Sequence, residues 1–327
     1  MTNEMSSLIR IKHKLKKKFF TLVLFLILLG LPSQLVLLLH HEGKDHLDKA
    51  KLLVSVSHSP IFIDGNDALD AFCSGAGTDG LSWASAHVIE GYEIVAELQP
   101  EPSGNCIGIE IRNTDRFLVI KNCDIQESVG IGSAGGIFLQ ECQNINITGC
   151  EFSNNDVGIN MWRAEHMTIS SNNILQCGMG VRLEKFNNGI VSDNIISDCT
   201  INGILLKRSD YNTISSNEAS FNRLYGIKLE ESKNNIIRGN NASYNSLSGI
   251  SLDSDTENNQ IYNNVVCYNE GEGILDSGSN NDVHDNEECI ATVPSYLFSW
   301  MLGFVSLGFM LACRKTLKIC KRKFKLS

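Results

Sequence analysis

Gly203-Ile204-Leu205-Leu206, Gly226-Ile227-Lys228-Leu229, Gly249-Ile250-Ser251-Leu252 and Gly273-Ile274-Leu275-Asp276 follow one another at intervals of 23, 23 and 24 residues. Behind each comes a second signature: Asn212-Thr213-Ile214-Ser215-Ser216-Asn217, Asn235-Ile236-Ile237-Arg238-Gly239-Asn240, Asn259-Gln260-Ile261-Tyr262-Asn263-Asn264 and Asn281-Asp282-Val283-His284-Asp285-Asn286. A fixed period in the twenties means stacked supersecondary units, each unable to bury its apolar face alone. Within a unit the apolar residues alternate with period two, the spacing of a strand with one face in and one face out. Asn, Gly, Ser and Asp stand between the strands, where they favour turns and tolerate left-handed backbone.

The period runs upstream through Gly108-Ile109-Glu110-Ile111, Gly136-Ile137-Phe138-Leu139, Gly158-Ile159-Asn160-Met161 and Gly180-Val181-Arg182-Leu183. Eight copies imply about eight coils of 22–24 residues. The second apolar column is expected to be Ile120, Ile147, Ile169, Ile190, Ile214, Ile237, Ile261 and Val283. Three residues beyond each lies Cys123, Cys150, Asn172, Asp193, Asn217, Asn240, Asn264 or Asn286. Stacking places like on like about 4.8 Å apart. Asn172, Asn217, Asn240, Asn264 and Asn286 then form a structural ladder that satisfies buried polar groups at a corner. A leucine-rich repeat has a similar period but needs Leu-x-x-Leu-x-Leu and a helical or looping return. Gly-Ile leads here, and no segment shows a 3.6-residue period. The reading is all-β, a parallel β-helix.

These G-I-x-L and N-N-x-I-x-x-N copies resemble the parallel β-helix repeats of NosD-like and related carbohydrate-binding or sugar-hydrolase domains. Gly77-Thr78-Asp79-Gly80 and His87 to Ile94 resemble the opening of such domains, so the likeness covers about residues 60–288. It implies a right-handed coil. It does not choose a function, because the family holds binding, enzymatic and uncharacterised members. Copper handling is suggested by the NosD likeness. Against it, Met161 falls in a core column, and neither His-x-x-His nor a Met-rich motif occurs, so no metal site and no cofactor is expected.

Working outward, residues 54–107 read as a cap with the first strands, and 108–290 as the repeats. Solenoid ends need caps because an open coil exposes apolar side chains and strand edges. Residues 1–18 are a basic tail and 19–39 an apolar run long enough to span a bilayer, with a cleaved signal peptide as the alternative. Residues 40–53 are a polar linker holding His40, His41 and His46. A second apolar run, 295–313, is followed by the basic tail 314–327. Lys and Arg lie on the far side of both runs, so the positive-inside rule puts both termini in the cytoplasm and the repeats outside a membrane crossed twice. Residues 40–294 carry a net charge of −21 and the remainder +12, summing to the −9 of the chain. So acidic an ectodomain argues against a nucleic-acid partner.

Nine of the eleven cysteines fall in the expected ectodomain, residues 40–294. Cys123/Cys150, Cys177/Cys199 and Cys267/Cys289, spaced 27, 22 and 22, should occupy adjacent coils, either as small buried thiols or as inter-coil disulfides. Cys73 with Cys106 is a candidate staple for the cap, and Cys142 is left over.

Outward positions of the G-I-x-L strand follow from alternation: Glu110/Arg112, Phe138/Gln140, Asn160/Trp162, Arg182/Glu184, Leu205/Lys207, Lys228/Glu230, Ser251/Asp253 and Leu275/Ser277. Trp162, Arg182, Glu184, Lys207, Glu230 and Asp253 form the candidate ligand-binding cluster, with Trp162 exposed. An aromatic platform flanked by charged donors and acceptors suits a sugar chain; the same charges also suit a solvated face of cross-strand pairs. Glycoside hydrolysis wants two carboxylates about 5–10 Å apart, which Glu230 and Asp253 on neighbouring coils would meet. No Asp-Pro-His-Asp run of the C5-epimerase kind and no pectinase-like aspartate trio is present. A membrane-anchored, non-enzymatic module binding polysaccharide or surface proteins is therefore expected. The alternatives are a lyase or hydrolase using the acidic groove, and an accessory factor of the NosD kind.

Overall fold

A computed structural model describes residues 56–96, 106–130 and 134–289. They form a mostly-β solenoid of three parallel sheets with seven, nine and nine strands. We call these A, B and C. Seven successive turns contribute a strand to each sheet. In the two turns that follow, the third side narrows to single bridges along Glu218, Asn241, Val265 and Glu287. The complete turns are thus seven, slightly fewer than the count of eight repeats. The expected apolar runs at 19–39 and 295–313, the linker 40–53 and both basic tails lie outside the described residues. Among the described residues no helix is long and apolar enough to cross a membrane.

The inward columns explain why each coil holds its neighbour. In sheet B, Ile61, Ile109, Ile137, Ile159, Val181, Ile204, Ile227, Ile250 and Ile274 stand in register. Two residues on, Ile63 to Leu252 make a parallel column, which ends in Asp276. From Gly108 to Gly249 each repeat's leading glycine is required by the next coil. A Cβ on Gly203 would sit 2.6 Å from the Gly226 carbonyl oxygen, and one on Gly180 2.5 Å from that of Gly203.

Sheet C gives a column of Ile89, Ile120, Ile147, Ile169, Val191, Ile214, Ile237, Ile261 and Val283. Val191 takes the place expected of Ile190, which turns outward and is 45% exposed. The same one-residue shift puts Asn194, not Asp193, in the corner ladder. Side-chain amides of Asn172, Asn194, Asn217, Asn240 and Asn264 each donate to the next Asn Oδ1, at 2.9–3.0 Å, ending on Asn286. Each Nδ2 also donates to a carbonyl of the neighbouring turn, as Asn240 does to Ile214 at 2.9 Å. Shorter ladders run along Asn212–Asn235–Asn259–Asn281 and Asn222–Asn245–Asn269. Coil corners sit at positive φ, occupied by residues such as Asn188, Asp193, Ser216 and Asn258. Sheet A, with its inward column Ile94, Ile125, Phe152, Ile174, Ile196 and Ala219, completes the core.

At the N-terminal end, helix α1 (Asn66–Phe72) inserts Leu69 into the core over the first turn. Asp70 on this helix pairs with Arg116 at 2.9 Å and with His87 Nε2 at 2.8 Å. Hydrogen bonds from Arg116 first and His87 second hold the Asp70 carboxyl down at about 2. Thr78 Oγ1 lies 2.8 Å from His87 Nδ1. This hydroxyl–imidazole–carboxylate chain has the composition of a nucleophilic triad. Its imidazole is only 1% exposed and its carboxylate is held by Arg116, so it ties the cap to sheet C.

Of the three expected cysteine pairs, Cys267 and Cys289 are joined by a disulfide. Cys123, Cys150, Cys177 and Cys199 are buried and not disulfide-bonded, as are Cys73, Cys106 and Cys142, so neither the cap staple nor the other two bridges forms. The bland alternative holds for these: burial pushes Cys142 and Cys177 up to about 11 and Cys199 to about 12. Such thiols stay protonated and inert.

Candidate site on the outer face of sheet B

Strand alternation gives sheet B two outward columns. The first, Phe62, Glu110, Phe138, Asn160, Arg182, Leu205, Lys228, Ser251 and Leu275, lies beside the preceding corner. Much of it is covered: Glu110 is 5% exposed and Phe138 4%, and Asn160, Leu205 and Ser251 are also buried. Alternation alone made these residues solvent-facing; the turns entering sheet B shield them. Asn160, for instance, donates to the Ala134 carbonyl of the longer turn before Gly136.

The second column runs Asp64, Arg112, Gln140, Trp162, Glu184, Lys207 and Glu230, in register from coil to coil. From Arg112 to Glu230 these side chains are half-buried. Trp162 stands between Gln140 and Glu184, the neighbours expected for it, but it is not fully out. Arg163, at a left-handed corner with φ 53°, folds its guanidinium over the Trp162 ring, 4.1 Å from the centroid. It also pairs with Glu141 at 3.0 Å.

Below Trp162 the charges alternate. Arg182 pairs with Glu184 at 2.9 Å, and Arg208 approaches the same carboxylate at 4.0 Å. Lys207 and Lys228 bracket Glu230 at 3.2 and 2.6 Å. Burial alone would push the Glu230 carboxyl up. Hydrogen bonds from Lys228 and Lys207, with their charges, outweigh it and hold Glu230 below its ordinary value. Asp253 ends the column differently. Its carboxylate accepts from the backbone N–H of Glu231 at 3.2 Å and of Asp255 at 3.1 Å, so it fastens a turn.

The candidate residues therefore share one face, with Trp162, Arg182, Glu184, Lys207 and Glu230 contiguous and Asp253 at the margin. Three more members emerge. Lys228 completes the Glu230 pair. Arg112 lies 5.9 Å from the ring centroids of both Phe62 and Phe138 and pairs with Glu110, carrying an aromatic–cation surface two coils beyond Trp162. Arg112 and Lys228 were legible as outward positions; Phe62 was not, because the first turn lacks the G-I-x-L signature.

The family described as periplasmic copper-binding protein (NosD) matches residues 88–290. No curated protein matches the chain. Among solved structures, the chain is similar to a mutant of the periplasmic alginate epimerase AlgG, with a TM-score of 0.48 and 14% identity over 62% of this chain and 59% of that one. It is also similar to the A-module of the mannuronan C-5 epimerase AlgE6 of Azotobacter vinelandii, with a TM-score of 0.38 and 12% identity over 69% and 90% of the two chains. Tailspike protein 2 of the Escherichia coli O157:H7 bacteriophage CAB120 gives 0.44 and 11%, over 72% and 37%.

Proposed function

The chain belongs to the NosD family over residues 88–290, and from that premise we propose that its solenoid is an extracytoplasmic binding module whose sheet B face holds a polysaccharide. The observation that carries this is the in-register run Trp162, Glu184, Lys207, Glu230, flanked by Arg182 and Lys228. An indole edge and aliphatic stems offer apolar contact to a sugar ring, while fixed carboxylates and cations offer acceptors and donors to its hydroxyls. Repetition at the coil spacing suits a polymer, because successive sugars meet similar rows.

Non-enzymatic binding is favoured over hydrolysis or elimination by the state of the carboxylates. A general acid needs a raised pKa. Lys207 and Lys228 hold Glu230 ionised, and Asp253 is engaged by backbone amides. The test is a glycan array probed with the purified ectodomain, with reducing-end release measured alongside. Retention of at least one polysaccharide without release of new reducing ends is expected; release would support the enzymatic alternative, and no retention at all would contradict the reading.

The copper in the family description is not accommodated by the described residues as they stand. His87 is held between Asp70 and Thr78, and Met161 and Met167 are buried in the core. Among the described residues, the one convergence of three ligand-type side chains, Cys267, Glu287 and Cys289, has its two sulfurs joined. No part of the groove's binding is routed through a metal.

Anchoring belongs to the same proposal. Residues 19–39 and 295–313 cross the membrane, both termini are cytoplasmic, and the right-handed coil lies outside. The supports are the two apolar runs, their distal Lys/Arg clusters and the acidic −21 charge between them. Protease added to intact cells should remove the solenoid and leave a tag at the 314–327 end uncut. Loss of that tag from outside would reject the two-anchor arrangement.

A further inference from the structure

An exposed aromatic ladder stands on the turns that lead from sheet A towards sheet B. Phe221, Tyr244 and Tyr268 occupy equivalent left-handed corners of three successive turns. Their rings stack, with centroids 4.9 and 5.1 Å apart, and each residue is 36–50% exposed. These are the turns in which the third side of the solenoid narrows to single bridges. Leu224 and Leu247 lie three residues beyond the first two rings and are bonded backbone to backbone, so they widen the apolar strip. Contiguous apolar surface marks a contact site, whereas scattered apolar residues do not.

Charge runs along the strip in a fixed order. The column two residues past the rings reads Arg223, Ser246, Glu270. It is in register because the Ser246 N–H donates to the Asn222 carbonyl and the Glu270 N–H to that of Asn245. Arg223 and Glu270 are exposed, and among the described residues neither has an ion-pair partner. By contrast, Lys207, Arg208 and Lys228 on the neighbouring sheet B side each hold a carboxylate.

We propose that this strip is a homodimer interface, joining two copies of the chain about a two-fold axis through Tyr244 with their solenoids antiparallel. Such an axis sets the turn of Phe221 against the turn of Tyr268 in the second copy. Arg223 then faces Glu270 of the second copy, Glu270 faces Arg223 of the second copy, and the two Ser246 residues meet on the axis. A two-fold interface must be self-complementary, and this column is. Setting the copies side by side and parallel would instead oppose Arg223 to Arg223 and Glu270 to Glu270, which is unfavourable. A glycan fits the strip less well than a second copy does. A sugar ring stacks on an aromatic face, and here the inner ring faces cover one another. Three turns at the coil spacing span only about 10–15 Å, so a weak, concentration-dependent dimer is expected. Nothing in this pairing depends on the sheet B groove.

The experiment uses the full-length chain in mild detergent at physiological ionic strength, where the −21 charge of residues 40–294 is screened beyond about 8 Å. Sedimentation equilibrium should show monomer and dimer in exchange. Arg223→Glu or Glu270→Arg alone should weaken the dimer by at least about tenfold, because the two-fold axis sets each reversed charge against its like twice. Arg223→Glu combined with Glu270→Arg should restore wild-type association. The axis is tested by cross-linking in a Cys313→Ser/Cys320→Ser background. There Ser246→Cys should be joined to its copy by a short bismaleimide, and Arg238→Cys, exposed on the outer face of sheet C, should not. A chain that is monomeric at every concentration, single reversals without effect, a double reversal as weak as the singles, or Ser246→Cys linked no better than Arg238→Cys would each overturn the proposal.

Discussion

Ile237→Asp is expected to unfold the solenoid or lower its stability by more than about 3 kcal/mol. Ile237 is fully buried in the sheet C column, with Ile214 on one side and Ile261 on the other. A carboxylate there has no cation among its column neighbours, and the parallel backbones on both sides have their hydrogen bonds committed. Protonation would relieve the charge and still leave a polar group in an aliphatic stack. Thermal unfolding of the isolated ectodomain followed by circular dichroism measures the effect. A normal melting temperature would mean that the side chain faces solvent and that the register described above is wrong.

The second large effect is expected from Asn240→Ala. Asn240 is held from both sides: its Oδ1 accepts from the backbone N–H and the Nδ2 of Asn217, and its Nδ2 donates to Ile214 O and Asn264 Oδ1. Alanine leaves two donors on Asn217 and one carbonyl on Ile214 without these partners, in a region closed to water. Each orphaned group costs about 1–3 kcal/mol, so a loss of about 3 kcal/mol or more is expected. For a domain of this size that corresponds to a fall in melting temperature of roughly 6–12 °C. A fall below about 2 °C would mean that the ladder contributes specificity of register but little stability.

The fold was readable because its signals repeat. Gly-Ile-x-Leu fixes one sheet, and from Gly108 to Gly249 each leading glycine is required by the carbonyl of the next coil. Where the repeat is imperfect, the reading slipped. At Gly189-Ile190-Val191, glycine replaces the asparagine that leads later copies such as Asn212-Thr213-Ile214, and two β-branched residues compete for one inward place. Their chemistry is too alike to choose between; pairing of Val191 with Ile169 and Ile214 decides it. Asn194 was missed for the same reason. The glycine has its own cause: Phe186 fills the space where a Cβ on Gly189 would lie, 2.0 Å from its ring.

The candidate site was legible as a row but not as an environment. Alternation placed Trp162, Glu184, Lys207 and Glu230 on one face. It could not show that neighbouring turns bury Phe138, Asn160 and Leu205, or that Arg163 folds back over Trp162, because those contacts come from corners rather than strands. The cysteine spacing likewise named three pairs, and spacing alone does not distinguish the bonded pair from the buried, unbonded ones.

The groove is tested most directly by Trp162→Ala, measuring melting temperature and polysaccharide retention on the same preparation. Trp162 is half-buried on the outer face and contributes nothing to the inward columns, so its removal should shift stability by no more than about 0.5–1 kcal/mol. The account predicts a nearly unchanged melting temperature and loss of retention for the polysaccharide that the wild-type ectodomain holds on the array. A clear fall in melting temperature with retention intact would contradict it, assigning Trp162 and its Arg163 partner to the scaffold and leaving sheet B as a solvated face.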